Sequence, residues 1–184
     1  MRRNSIVVYL ALFLIFIYGC SESKYAATNK TYKQQVKAYA KMLMEYPVKD
    51  SAGLPYAVDW VGTTNLSMRR ANIVIIHHTA QNSCEQTLKT FTLPRTQVSA
   101  HYVICKDGTV HHMLNDLLRA HHAGVGRWGS ITDMNSCSIG IELDNNGSEP
   151  FSDALMNSLV QLLERLKKAY NIPTSNFIGH LDWA

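Results

Sequence analysis

The sequence predicts an α/β domain with a mixed central β-sheet flanked by helices. Three observations predict it: the aliphatic run "IVII" at residues 73–76, apolar on both faces; two short strands around the turn "KDGT"; and a strand, long helix, short strand succession toward the C-terminus. Strands buried on both faces lie in the middle of α/β sheets, an Asp-Gly turn signals a hairpin, and a strand–helix–strand unit makes a parallel crossover.

Taken in order, the chain opens on a leader. Arg2 and Arg3 precede an apolar stretch over residues 6–18, which closes on "IYGC" at Cys20 and gives way to the polar "SESK". The stretch is shorter than the roughly 20 residues a membrane-spanning helix needs. Residues 1–19 therefore read as a signal peptide. "IYGC" resembles a bacterial lipobox, so Cys20 is expected to be lipidated, with the mature protein exported, periplasmic and tethered to the membrane, the outer one by expectation. Residues 20–65 follow as a small polar tether to about Lys30, an amphipathic helix in "TYKQQVKAYAKMLMEY", and an irregular segment punctuated by Pro47, Gly53 and Pro55. Val36, Tyr39, Ala40 and Leu43 recur at helical spacing, which places this helix on the back of the domain.

Residues 66–184 form the domain proper. After "IVII", the segment "CEQTLKTFTL" is expected to be a helix, "AHYVICKDGTVHHM" a hairpin and "CSIGIEL" a strand. "SDALMNSLVQLLERLKKAY" is the strongest helix: Ser152 is the N-cap, Asp153 suits the positive N-terminal end, and Leu155, Leu159, Leu162, Leu163 and Leu166 make one apolar face. Lys167 and Lys168 suit its C-terminal end, "NIP" stops it, and "FIGH" is a short closing strand.

Composition narrows the function classes. The net charge of +4 includes the two arginines of the leader, so the mature domain is only mildly basic, which argues against nucleic acid as a partner. With Cys20 lipidated, Cys84, Cys105 and Cys137 remain, an odd number that allows one disulfide and one free thiol; the pairing stays open.

The residues that could carry chemistry lie where strands end. His77 and His78 follow the first strand, and successive side chains on a strand point to opposite faces, so at most one reaches a given small site. In "CSIGIEL", alternation sets Cys137, Ile139, Ile141 and Leu143 on one face and Ser138, Gly140 and Glu142 on the other. The second face combines a carboxylate with a glycine that leaves space beside it, which suits a general acid/base facing a substrate. His180 ends "FIGH" as His77 ends "IVII". Two histidines at the ends of two strands of one sheet can converge on a metal, and zinc takes imidazole readily. His101, His111, His112, His121 and His122 compete for such roles, and spacing does not choose among them.

"IVIIHHTA", "SAHYVICKDGTVHHM", "RAHHAG", "NSCSIGIELDN" and "IPTSNFIGHLDWA" occur in that order, and together they resemble the zinc-dependent N-acetylmuramoyl-L-alanine amidases of the type-2 amidase family, whose fold phage lysozyme-type amidases and peptidoglycan recognition proteins share. The resemblance covers about residues 66–184. It implies Zn2+ as cofactor, His77 and His180 as ligands, Glu142 as the catalytic or water-orienting carboxylate, and no ligand role for His78. It also implies hydrolysis of the amide between N-acetylmuramic acid and L-alanine of peptidoglycan by a monomer, with muropeptide as partner. His101 and His122 are candidate substrate contacts, with a hydrogen-bonded structural role as the alternative. The family's third ligand, an aspartate or cysteine, and a lysine just before it fall farther along than Asp182, so the expectation is a domain whose C-terminal end is missing from this chain, an enzyme when whole and a fragment that need not be active by itself. The tyrosine that some relatives place before the histidine matching His101 is Ala100 here. The alternative function is a peptidoglycan-binding module without catalysis.

Overall fold

The computed structural model describes residues 23–44, 51–53, 65 and 67–183. The leader, Cys20 and most of the irregular segment lie outside the described residues. The chain divides into two units, residues 1–62 and 63–184. In the first, helix α1 runs Ala26–Met42. It starts inside the segment expected to be tether, and none of its residues is buried; Val36, Tyr39 and Leu43 are exposed. The described helices include none long and apolar enough to cross a membrane.

The second unit is built on a five-stranded mixed sheet flanked by helices. In chain order it runs β1 (Ile73–His78), α2 (Cys84–Thr92), β2 (Tyr102–Ile104), β3 (Val110–His112), α3 (Met134–Cys137), β4 (Ser138–Leu143), α4 (Asp153–Tyr170) and β5 (Phe177–Gly179). The spatial order is β3-β2-β4-β1-β5. β1 lies between β4 and β5, parallel to both, β2 is parallel to β4, and the β2–β3 hairpin is antiparallel. The hairpin turns where the sequence places it: Asp107 accepts from the Thr109 N–H at 2.8 Å, and Gly108 takes a φ of +85° that a side chain would strain.

Register decides what each face does. β1 and β4 align residue for residue, Ile73 beside Ser138, Ile75 beside Gly140 and His77 beside Glu142. One face of this pair carries Val74, Ile139, Ile141 and Leu143, which join Leu155, Leu159 and Leu166 of α4 in the main core. Each such leucine contributes on the order of 1.5–3 kcal/mol by leaving water. α4 begins as expected, with Ser152 Oγ accepting the Leu155 N–H at 3.2 Å, and ends on Asn171 in the left-handed conformation. The other face holds Ile73 and Ile75 against Ala123, Met134, Ile178 and Trp183, and is polar where His77, Ser138 and Glu142 stand.

One boundary of the sheet differs from expectation. Cys137 closes the short helix α3 rather than opening β4, because the Met134 and Asp133 carbonyls draw in its thiol and the Ser138 hydroxyl. The described cysteines divide into a Cys84–Cys105 disulfide, with Cα atoms 5.3 Å apart, and a free Cys137. The bridge ties the first turn of α2 to the residue after β2.

Candidate metal centre and cleft

Parallel alignment brings the ends of β1, β4 and β5 together, and with them the residues singled out from sequence. His77 and Glu142 leave the sheet from neighbouring, registered positions, so their side chains share a face. His180 follows β5 directly, and its Nδ1 lies 3.0 Å from Nδ1 of His77. Two imidazole nitrogens on one tetrahedral zinc with bonds of about 2.0–2.1 Å stand roughly 3.3 Å apart. The observed pair is therefore set as two ligands of one cation would be. Among the described residues no third histidine, cysteine or carboxylate joins this pair as a group within 4.8 Å. Asp182 lines the same cleft but spends Oδ2 on the Gly179 N–H at 2.7 Å.

Glu142 is 9% exposed and accepts no hydrogen bond from a described residue. Burial alone pushes its pKa up to about 8. A carboxyl so placed changes protonation near neutral pH. His77, 7% exposed, is held down to about 4 by burial and then by the neighbouring His180 and His78. His78 leaves the strand on the opposite side and is exposed.

Above these groups opens a cleft of about 910 Å³. Phe91, Val98, Phe151 and Met156 give it apolar walls, with Gln81 and Ser99 among its polar lining.

The remaining histidines separate. His122 lines the cleft, with Nδ1 3.0 Å from Nε2 of His77, and its pKa is pushed down to about 2 by burial and by His77. The space that Gly140 was expected to leave for a substrate is filled by this ring: a Cβ at residue 140 would collide with it. His101 is fully buried, its Nδ1 accepting the Gly140 N–H and its Nε2 facing the Leu118 carbonyl, both at 3.1 Å. Neither nitrogen is left for a substrate, so the contact expected of it gives way to a structural role. His112 stacks on Tyr102 and pairs with Asp116. His111 lies within 4.8 Å of Cys84 and Cys105, but those sulfurs are joined to each other and offer no thiolate, so we assign the trio to the frame rather than to a metal.

Arg69 and Ser138 are the residues that sequence reasoning left without a role. Arg69, half-buried, donates to the carbonyls of Ser136, Ser138 and Asp116 at 2.8–3.2 Å, lacing β4 to the loop after β3. Nothing in "MRRAN" separates it from Arg70, which reaches the Tyr170 carbonyl.

The N-acetylmuramoyl-L-alanine amidase family (Amidase_2) matches residues 67–184, about two thirds of the chain. The chain belongs to this family. AmiD of Escherichia coli K12, an N-acetylmuramoyl-L-alanine amidase, is 28% identical over 145 residues, 70% of this chain and 51% of the relative. The 1,6-anhydro-N-acetylmuramyl-L-alanine amidase AmpD of Haemophilus influenzae is 37% identical over 87 residues, 47% of each protein. The chain thus spans about half the length of these curated relatives. Among solved structures, E. coli AmiD in complex with anhydro-N-acetylmuramic acid-L-Ala-D-gamma-Glu-L-Lys superposes with a TM-score of 0.59 at 27% identity, covering 76% of this chain and 58% of that one. AmpDh3 from Pseudomonas aeruginosa in complex with anhydromuramic pentapeptide gives 0.58 at 26% identity, with 70% and 58% covered. In this amidase-family domain the matched region contains every histidine discussed above and Glu142.

Proposed function

We propose that this protein is a zinc-dependent N-acetylmuramoyl-L-alanine amidase that hydrolyses the amide between the lactyl group of muramic acid and L-alanine in peptidoglycan or its fragments. The observation that carries the reading is the pair of Nδ1 atoms 3.0 Å apart on His77 and His180, in one cleft with a buried carboxyl that has no hydrogen-bond partner among the described residues. Family membership and the muropeptide complexes of AmiD and AmpDh3 support it.

In this reading His77 and His180 hold zinc. What the ion supplies there is Lewis-acid polarisation of the scissile carbonyl and acidification of the attacking water. Glu142 in its ionised form accepts the water's proton and passes it to the departing amine of L-alanine; burial, which raises its pKa, makes that carboxylate a stronger base. The apolar walls seat the lactyl and alanyl methyl groups, while the open rim leaves room for sugar and peptide. The test is release of stem peptide from a muropeptide by the metal-stripped protein with and without added zinc. Zinc-dependent release is expected; equal turnover without metal refutes the zinc reading.

We infer further that the protein is exported and held at the membrane, by expectation the outer one, through lipid on Cys20. The lipobox-like "IYGC" motivates this, and the Cys84–Cys105 disulfide supports an oxidising compartment. Labelling cells with a lipid precursor, with Cys20→Ala as comparison, checks it: label lost in the variant is expected, and equal label in both refutes it.

A further inference from the structure

His122 and Ser138 form a hydrogen-bonded series with His77, and the direction of every proton in it follows from its far end. Ser138 Oγ lies 2.5 Å from the Met134 carbonyl oxygen, which can only accept, so the hydroxyl hydrogen points there. Ser138 Oγ must then accept from its other neighbour, Nε2 of His122 at 3.2 Å, which places a hydrogen on that nitrogen. The contact between His122 Nδ1 and His77 Nε2 at 3.0 Å needs one donor and one acceptor. A second hydrogen on His122 would make it a cation with no carboxylate among its partners in the described residues, a costly state at this depth. So His122 Nδ1 accepts and His77 Nε2 donates. The neutral His77 ring then has its lone pair on Nδ1, the nitrogen that faces His180.

We propose that His122, backed by Ser138, is a positioning residue that holds His77 in the tautomer able to bind a metal through Nδ1. The inference rests on the zinc reading above for its purpose but on this proton accounting for its content. The local fold is built around the series. Asn135 of α3 accepts the backbone N–H groups of both His122 and Ala123 at 3.0 Å, which fixes the loop, while the preceding residue of α3, Met134, supplies the terminal carbonyl. Gly140 provides the room: with any side chain at that position the His122 ring loses its seat. The second histidine of "RAHHAG", which sequence spacing leaves unconnected to Ser138 and Gly140 of "MNSCSIG", thereby joins them in serving one ring nitrogen of His77. Partners that orient a metal-bound histidine through its second nitrogen typically change metal affinity by about 10–100-fold when removed.

The test combines two measurements on the full chain. Nitrogen-15 NMR of the metal-free wild type reads the His77 tautomer directly; hydrogen on Nε2 is expected, and hydrogen on Nδ1 overturns the proposal without reference to any metal. Zinc affinity, measured by chelator competition, should weaken by about 10–100-fold in His122→Ala, less in Ser138→Ala, and be partly restored in His122→Gln, whose amide oxygen can accept from His77. The His122→Ala spectrum should show His77 populating both tautomers. Unchanged affinity and an unchanged tautomer in folded His122→Ala overturn the proposal. Should that variant fail to fold, the wild-type tautomer and Ser138→Ala decide alone. In a protein that carries the third ligand as well, a wild type that takes up no zinc overturns the metal reading, whereas the tautomer result still reports on the series itself.

Discussion

His77 and His101 are matched in burial and differ in what their nitrogens do. Both rings are under a tenth exposed, and burial brings both pKa values down to about 4. Yet His101 spends both nitrogens on backbone, on Gly140 and Leu118, while His77 spends one on His122 and turns the other toward His180 at the cleft. The His122 ring lies between these two fates, its centroid 5.2 Å from that of His77 and 5.9 Å from that of His101. Depth and a lowered pKa therefore do not tell the two rings apart. The partners of their nitrogens do: backbone on both sides of His101, ring nitrogens on both sides of His77.

The sharpest way to break the comparison is to remove each ring in turn. His77→Ala should lose zinc and amidase activity together, activity by at least about 100-fold, because one ligand of the ion is gone. His101→Ala should instead cost about 2–3 kcal/mol of stability, since it opens a cavity and strands the Gly140 N–H and the Leu118 carbonyl, while its folded fraction keeps the zinc stoichiometry of the wild type. Metal analysis beside urea unfolding separates the two, and a His101→Ala protein that folds normally but binds no zinc would erase the contrast.

Glu142→Gln comes next. Activity should fall by about 10²–10⁴-fold with zinc content unchanged, because the amide cannot accept a proton. The same substitution isolates a pH effect in the metal-free protein. The folded-state pKa of Glu142 is raised, from 4.5 to about 8, so between these values the folded state binds more protons than the unfolded one and stability falls as pH rises. His77, His101 and His122 act oppositely: their pKa values are lowered from 6.5, so they favour the fold increasingly as pH rises toward 6.5 and contribute no further slope above it. From pH 6.5 to 8 the wild type should therefore lose stability relative to Glu142→Gln, by at most about 1.4 kcal/mol per pH unit. Parallel stability profiles for the two proteins across that range would show that Glu142 is not buried in the way described.

The smallest effect belongs to His78. It lies on the exposed side of the strand end, so His78→Ala should keep zinc and shift stability by less than about 1 kcal/mol. Loss of zinc in this variant would place the metal on the other face of β1.

The sheet was legible in sequence because its signals are local. An aliphatic run, an Asp-Gly turn and a leucine face over α4 each specify an element within a few residues, and alternation along β4 separates the core face from the face bearing Glu142. The same alternation divides His77 from His78. What sequence left open were contacts across the sheet. Ser138, Gly140, His122 and His77 come from β4, a loop and β1, and only the parallel register that sets His77 beside Glu142 and Ile75 beside Gly140 brings them to one place. The pairing of Cys84 with Cys105 and the burial of His101 under Gly140 were likewise invisible, because a cysteine or a histidine carries no local mark of its partner. Periodicity determined the strands, the helices and the face each side chain takes; register and loop packing decided which ring nitrogens meet backbone and which meet each other, since hydrogen bonds across strands depend on positions of about an ångström that no spacing along the chain encodes.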